Sequence, residues 1–288
     1  ILKPRRPAAS SCPTHMLGRI FDIMGGLLGQ GNPDALNAAG FSDSPHFMYS
    51  GYYRDSGEWY QLYQIGFGGI PGRPMGDGPD GHSLWPSFKN VPNEHLEAYF
   101  PLRISTYESI ADSGGPGKHR GGNGVRMGYT FLEPGEISIH DDRWLTYPWG
   151  VNGGLPGRRS EKIMVRADGT EERFPSKMDH VKVEPGDTMY FNTWGGGGWG
   201  DPLERPPEQV ALDVERGLVT IEGAKRYGVV VREDFTVDET ATAALRERMR
   251  DERGEIHLFD RGGTVEEIKA RCKDETGFDP PKAPVFKS

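Results

Sequence analysis

The clustering of glycine in the first 200 residues constrains the fold more than any other feature of the sequence. Of the 41 glycines in this 288-residue chain, 34 lie before residue 201, and they gather at 66–81, 114–124, 150–157 and 195–200. Glycine and proline together make up about 22% of the chain, below the roughly 25–30% that is typical of low-complexity disorder. Because glycine is favoured where the backbone turns sharply or approaches another group closely, the clusters predict a folded, loop-rich protein.

The density of charge divides the chain near residue 200. Charged residues make up about 20% of residues 1–200 and about 40% of residues 201–288. We therefore predict an α+β protein: a glycine-rich β body over 1–200 and a charged helical region over 201–288. Apolar residues at near-helical spacing predict one helix in the body, at about 12–28, with an apolar face and capping oxygens from Ser10 and Ser11.

Strand signals are clear between residues 124 and 194. Residues 125–131 alternate apolar with polar or small side chains, which predicts a half-buried strand, and Ile137 and Ile139 are expected to begin its partner strand. Further hairpins are expected around Asp168–Gly169 and around Pro185–Gly186.

Punctuation in the C-terminal region predicts several short helices. One runs from Pro207 to Arg216, a second is capped by Thr220, and a third starts at Asp238. Thr264 and Glu267 form the sequence pattern of a capping box for a last helix near 265–273. The proline-rich end, 280–284, is expected to be extended and to lie on another surface.

Composition excludes several classes of function. The net charge of −8 and the pI of about 5.6 argue against a nucleic-acid partner, since nucleic-acid binders present basic surfaces. No run of about 18 apolar residues exists, so a membrane-spanning segment is not expected. Two distant cysteines favour a cytoplasmic protein without a disulfide framework. The first residue is Ile1, from which we expect the chain to begin inside a longer polypeptide.

The first candidate site is the loop from Gly72 to Pro86. Asp77, Asp80 and His82 lie within six positions on a glycine-rich backbone, which could bring them together around a metal or a proton-transfer site. The spacing matches no standard metal motif. The alternative is a tight loop in which the aspartates cap turns.

A second candidate site follows the apolar residues 137–139. Asp141 and Arg143 lie at the end of this expected strand, which is a usual place for site residues. The alternative is a structural ion pair. Aromatic residues are dense between 45 and 75, where they predict either sheet packing or a pocket for an apolar substrate.

Several blocks of the sequence, taken in order, resemble the hydantoinase B/oxoprolinase family over about residues 72–245. The glycine-rich blocks are Asp112–Gly117 with Arg120–Gly122, Pro148–Gly150 with Gly153–Gly154, and Gly195–Arg205. Val214–Thr220 and Tyr227–Val230 resemble the helices that follow in the family. The resemblance is to the C-terminal half of the family's polypeptide.

This resemblance implies partners and cofactors. Such a polypeptide works beside a separate or fused hydantoinase A-like subunit that binds ATP and Mg, so we expect a hetero-oligomer that also includes the N-terminal half of the same hydantoinase B-like subunit. The family's metal motif lies in that N-terminal half, where a divalent metal is possible. No residues of this chain match the motif, so no metal ligands are assigned here.

The resemblance also implies alternative reactions on a small-molecule substrate. Family complexes carboxylate ketones such as acetophenone or acetone with bicarbonate and ATP, or hydrolyse cyclic amides (hydantoins, 5-oxoproline, lactams) with ATP. The stretch from Gly76 to Pro86 resembles the aromatic-ketone carboxylases more closely, so a carboxylase subunit is the first expectation. A non-catalytic β-rich binding or structural module is a further alternative, with exposed tryptophan and tyrosine side chains as stacking platforms for sugars.

Overall fold

A computed structural model describes residues 13–40, 45–83, 89 and 91–282, with side chains from residue 17 onwards. Three features predicted from the sequence fall outside these residues. They are the capping oxygens of Ser10 and Ser11, most of the segment from Leu84 to Asn90, and the last residues of the proline-rich end.

The described chain alternates short strands with long loops and ends in helices. The helices are α1 (Pro13–Gly29), α2 (Asn93–Tyr99), α3 (Pro207–Glu215), α4 (Ile221–Ala224), α5 (Glu239–Glu252) and α6 (Val265–Thr276). The strands are β1 (His46–Tyr52), β2 (Trp59–Ile65), β3 (Leu102–Ser109), β4 (Val125–Phe131), β5 (Gly135–His140), β6 (Gly150–Val151), β7 (Glu161–Val165), β8 (Glu171–Phe174), β9 (Lys177–Val183), β10 (Thr188–Asn192) and β11 (Phe259–Asp260). This composition confirms the predicted α+β class with a β-rich body.

Two antiparallel sheets pack around the main core. One has the order β2-β1-β5-β9 and the other the order β3-β4-β10-β7-β8, while β6 and β11 form a separate two-stranded ribbon. Alternate residues of the strands point inward, as the period of two requires. Phe47 stacks on Tyr129 with ring centroids 4.6 Å apart, and Phe131, Ile137 and Phe191 are buried beside them.

Two of the three expected hairpins are wrong. β4 and β5 do not pair, because the chain crosses from the five-stranded to the four-stranded sheet between them, and β9 and β10 are likewise in different sheets. Both crossings let the apolar faces of consecutive strands meet across the core instead of side by side. The third hairpin, β7–β8 around Gly169, is confirmed, with Val165 opposite Glu171.

The glycine clusters form a second, backbone-only layer of packing beside the sheets. Backbone N–H groups of residues 195–200 donate in turn to the carbonyl oxygens of Arg158, Gly122, Ala39, Leu155, His119 and Val151, at 2.7–3.2 Å. Over the first five donors, residues three apart donate to the same neighbouring segment, which is the period of an extended helix with three residues per turn. A Cβ atom on Gly195 would lie 1.8 Å from the Ser113 carbonyl oxygen, so the segments approach too closely for any side chain.

The helices of the C-terminal region end where their sequence signals predict. Asp238 caps α5, Thr220 caps α4 and Gly228 adopts a left-handed conformation (φ 65°) just after the short 3-10 helix Lys225–Tyr227. The capping box of Thr264 and Glu267 is present at α6. Val210, Val214, Val219, Tyr227 and Val229 form a small core of their own, although the boundary near residue 200 stays a prediction.

No helix in the described part of the chain is long and apolar enough to cross a membrane.

Candidate functional site

The loop after β2 is fastened to the rest of the molecule by Asp77. Both carboxylate oxygens of Asp77 accept hydrogen bonds from the Arg205 guanidinium, at 2.7 and 2.8 Å, and Oδ1 also accepts from the Arg120 backbone N–H at 2.9 Å. Burial alone would raise the pKa of Asp77, but these hydrogen bonds and the charge of Arg205 hold it below its ordinary value. Asp77 is therefore an ionised clamp on a buried arginine.

Asp80 holds a second buried arginine in the same way. Its two oxygens accept from Nη1 and Nη2 of Arg120, at 2.7 and 2.9 Å, and Oδ1 also accepts from the Asn123 backbone N–H at 2.7 Å. Asp213 of α3 joins the two pairs, since its Oδ2 lies 2.7 Å from Arg205 and 3.7 Å from Arg120. The predicted loop site thus lies in a network that ties the body to α3.

His82 stands apart from this network. Its side chain is exposed, and Nδ1 lies 2.7 Å from the carbonyl oxygen of the next residue, Ser83. Among the described residues, no group of three or more His, Cys, Asp or Glu side chains could hold a metal ion. The catalytic roles expected for Asp77, Asp80 and His82 stay predictions.

Asp141 lies at the end of β5 and is fully buried. Its Oδ2 is 2.5 Å from the Nζ of Lys162 on β7, and neither side chain has any exposed surface. The backbone carbonyl of Asp141 also accepts from Ser176 Oγ and Lys177 Nζ. Burial raises the pKa of Asp141 and lowers the pKa of Lys162, and their mutual attraction opposes both shifts. The predicted ion pair exists, but its cation is Lys162 rather than Arg143.

Arg143 points in a different direction, toward α1. Its backbone has a positive φ of 55°, which is uncommon for a residue with a side chain. One guanidinium nitrogen donates to the Tyr147 carbonyl oxygen at 3.1 Å, and the other contacts the carboxylate of Asp22. Burial, and then repulsion from Arg19, lower the pKa of Arg143 to about 9, while Asp22 opposes that shift.

Helix α1 binds the body through its polar side chains. Arg19 pairs with Asp142 at 2.5 Å, and Asp22 pairs with Arg143. The predicted apolar face instead points largely to solvent, with side chains between 40% and 74% exposed at Leu17, Phe21, Met24, Leu27 and Leu28. The helix is confirmed, but its amphipathic orientation is inverted relative to a helix packed on a core by its apolar face.

A cavity of about 480 Å³ lies between α1, the segment 35–40 and the glycine loops. Its walls include Phe21, Leu28, Leu36 and Trp149, and the Asp22 carboxylate enters it from α1. Burial raises the pKa of Asp22, while the charges of Arg143 and Arg19 oppose that rise. This is a cavity with mainly apolar walls, one carboxylate and a buried arginine behind that carboxylate, an arrangement suited to moving a proton on an apolar molecule.

The aromatic segment divides between the two uses expected for it. Phe47, Tyr49 and Tyr60 are buried in the core, as sheet packing requires. Tyr52 and Trp59 are exposed and line an open groove of about 520 Å³ at the edge of the four-stranded sheet. None of these five rings lines the cavity beside α1.

The structure thus places the predicted site residues in two separate clusters and adds residues that sequence reasoning missed. Arg120 and Arg205 were missed because only the fold brings them to Asp77 and Asp80. Asp22 was missed because the apolar pattern of its helix concealed it. The available signal was the i, i+3 spacing of Arg19 and Asp22, the two charged residues among 17 in the helix.

Comparison with known proteins identifies sequence relatives. The model of the hydantoinase B/oxoprolinase family matches residues 1–202. A putative D-/L-hydantoinase B polypeptide of a Pseudomonas species is 35% identical over 66% of this chain and 33% of its own length. The acetophenone carboxylase delta subunit of Aromatoleum aromaticum is 28% identical over 57% of this chain and 29% of its own length. The chain spans about a third of the length of these relatives.

Two solved structures share the fold. The ATP-dependent caprolactamase of Pseudomonas jessenii superposes with a TM-score of 0.67 and 27% identity, over 76% of this chain and 40% of that one. Nucleotide-free acetone carboxylase superposes with a TM-score of 0.65 and 22% identity, over 86% of this chain and 37% of that one.

Proposed function

The chain belongs to the hydantoinase B/oxoprolinase family, and we propose that it forms part of an ATP-dependent, multisubunit enzyme that carboxylates a ketone with bicarbonate. The observation that carries the choice of reaction is the lining of the cavity beside α1. Apart from Asp22, Asn32 and Asn37, its described walls are hydrocarbon, aromatic rings or glycine and alanine backbone. A ketone with apolar substituents needs few polar partners, whereas a hydantoin offers several N–H and C=O groups that would require them.

In this proposal Asp22 accepts the proton. Its carboxylate enters the cavity, and burial makes it a stronger base than an exposed aspartate. Arg143 holds the carboxylate in place from the rear. One proton passes from the ketone α-carbon to Asp22, the resulting enolate carbon forms a bond to the activated carboxyl carbon, and phosphate leaves. The apolar walls exclude water, which would otherwise quench the enolate or hydrolyse the activated bicarbonate.

The nucleotide is assigned to a partner. The described residues provide no group suited to holding a metal ion, so they do not fit an ATP·Mg site, and no step is derived through it. ATP bound to a hydantoinase A-like subunit would supply the activation of bicarbonate. A metal ion, if required, would be held by the part of the hydantoinase B fold that this chain does not span.

The loop residues have a supporting role in this proposal. Asp77 and Asp80 fix the loop through Arg205 and Arg120. His82, which is exposed, is proposed as a pocket group in the assembled enzyme. His82→Ala should reduce turnover without loss of assembly, and unchanged turnover would remove His82 from the site.

The direct test is label incorporation by the assembled complex. With ATP, labelled bicarbonate and acetophenone or acetone, label should enter a keto acid. Asp22→Asn should lower that rate by about 100-fold or more, the usual contribution of a general base. Asp34→Asn is the matched control, because Asp34 is exposed in the short 3-10 helix Pro33–Ala35 next to the cavity. Failure to incorporate label with any ketone would overturn the proposal.

Hydrolysis of a cyclic amide is the second candidate, favoured by sequence identity. The chain is 35% identical to the hydantoinase relative and 28% identical to the acetophenone carboxylase relative. Here Asp22 would deprotonate water instead of a carbon acid. ATP consumption stimulated by caprolactam or a hydantoin, without bicarbonate, would establish this reaction in place of carboxylation. Absence of ATP turnover in both assays would leave a non-catalytic role.

A further inference from the structure

An open cleft of about 670 Å³ lies between the glycine-rich body and the C-terminal region. Its floor is the backbone of Leu155, Pro156 and Gly157. Three arginines from three different parts of the chain line it: Arg158 directly after the floor, Arg226 from the 3-10 helix 225–227, and Arg271 from α6. No residue of this cleft lines the cavity beside α1.

The three guanidinium groups differ in how their charge is balanced. Arg158 lies 3.4 Å from Glu161, and Arg271 lies 3.7 Å from Glu275, a carboxylate that also pairs with Arg159. Arg226 has no carboxylate within ion-pair distance anywhere in the described chain; its Nη1 donates to the backbone carbonyl of Asp112 at 3.1 Å. Arg226 is half-buried, so its charge is less screened than that of a fully exposed side chain.

Two carboxylates also line the cleft, but each has partners of its own. Asp112 accepts from the backbone N–H and the hydroxyl of Thr220, at 3.0 and 2.6 Å. Asp260 accepts from the Gly262 backbone N–H at 2.8 Å. The lining therefore holds three guanidinium groups against two hydrogen-bonded carboxylates, and the cation left without an ion pair is Arg226.

We propose that this cleft binds a small oxyanion, a phosphate or carboxylate group, with Arg226 as its main ligand and Arg158 and Arg271 on either side. Guanidinium groups present paired N–H donors that match the two oxygens of such a group. Because Arg158 belongs to the body while Arg226 and Arg271 belong to the C-terminal region, a bound anion also links the two. The proposal is independent of the reaction at Asp22.

The test is calorimetric titration of the full chain, in low-salt buffer without other oxyanions, with inorganic phosphate and separately with succinate. At least one probe should bind with a dissociation constant in the millimolar range or tighter, and the stronger probe distinguishes a phosphate site from a carboxylate site. Arg226→Met should weaken that binding at least tenfold. Arg226→Lys, which keeps the charge but loses the fork, should weaken it less.

Arg103→Met is the matched control, since Arg103 is an exposed arginine of β3 at another place in the fold. It removes the same charge from the molecule and should leave binding unchanged. The thermal midpoint of each variant without anion identifies any that fails to fold, and saturating probe should raise the midpoint of the wild type but not that of Arg226→Met. Binding that is absent from the wild type, or equal in wild type and Arg226→Met, would overturn the proposal.

Discussion

Gly195 shows how single residues determine the packing of the body. A Cβ atom there would lie 1.8 Å from the oxygen and 2.2 Å from the carbon of the Ser113 carbonyl. Both are backbone atoms fixed by neighbouring hydrogen bonds, so they cannot move aside as a flexible side chain could. The chemical need for glycine is thus set by the adjacent segment and not by the local conformation.

Gly195→Ala should lower the free energy of unfolding by on the order of 3 kcal/mol or more, because overpacking against backbone forces the segments apart. Gly25→Ala is the matched control. Gly25 lies in α1 with nothing within 4 Å of the added methyl group, so alanine should add up to about 1 kcal/mol of stability. Urea unfolding measures both, and equal stability of the two variants would contradict the close-packed backbone layer.

The pair of Asp141 and Lys162 permits a second prediction for single residues. Replacing one partner leaves a buried charge alone, so Lys162→Met should destabilise the chain by about 3–5 kcal/mol. The double variant with Asp141→Leu should recover most of that loss, because an apolar pair of similar volume avoids the burial of charge. Denaturant unfolding of the two single variants and the double variant measures the coupling, and strictly additive losses would show that the pair does not act as a unit.

Among the elements of the fold, sequence reasoning was most successful where the signals are local. The start of α6 follows from Thr264 and Glu267, three residues apart, and the turn of the β7–β8 hairpin follows from Asp168 and Gly169. The partner of β4 could not be found in this way. β4 pairs with β3 and β10, and that choice depends on which apolar faces meet across the core.

The candidate site was predicted in part for the same reason. The strand pattern places Arg143 just beyond the end of β5, but nothing local to Arg143 names Asp22, 121 residues earlier. The orientation of α1 decides that contact. Since its apolar periodicity favoured a buried apolar face, the two polar side chains that bind the body were assigned no role.

The loop between β2 and α2 carries a prediction about pH. The pKa of Asp77 is held below the ordinary value of 3.8 in the folded protein. The stabilisation from its pairing with Arg205 is therefore complete above about pH 4 and is lost as the pH falls through the lower, folded pKa. Asp77→Asn should destabilise the chain at neutral pH and should flatten the fall in stability on acidification.

Unfolding free energies of wild type and Asp77→Asn between about pH 2 and pH 7 provide the measurement. Asp34→Asn, in an exposed position, should retain the wild-type dependence. An unchanged acid dependence in Asp77→Asn would show that Asp77 does not clamp Arg205 in solution.

In the whole molecule, the chain presents a large apolar surface beside its candidate cavity. Ile23, Met24 and Leu27 of α1 are 60%, 52% and 63% exposed, and contiguous apolar surface of this kind marks an interaction site. The relatives are about three times as long as the part that this chain matches. We expect the additional part of the hydantoinase B fold to cover this face in the assembled enzyme and to close the cavity.

Leu27→Glu should therefore disrupt assembly while leaving the isolated chain as stable as before, because the side chain is already in water. Val265→Glu is the matched control: Val265 is 58% exposed at the start of α6, where a negative charge is favourable. The complex is purified through a tag on this chain, and the intact masses and sequences of its components are determined. Hydrogen exchange of the α1 backbone is then compared in the complex and in the free chain. The wild type and Val265→Glu should retain a hydantoinase B-type polypeptide and show slower exchange in α1, and Leu27→Glu should show neither. Normal assembly of Leu27→Glu, or a complex in which α1 exchanges as fast as in the free chain, would show that this face lies outside the interface.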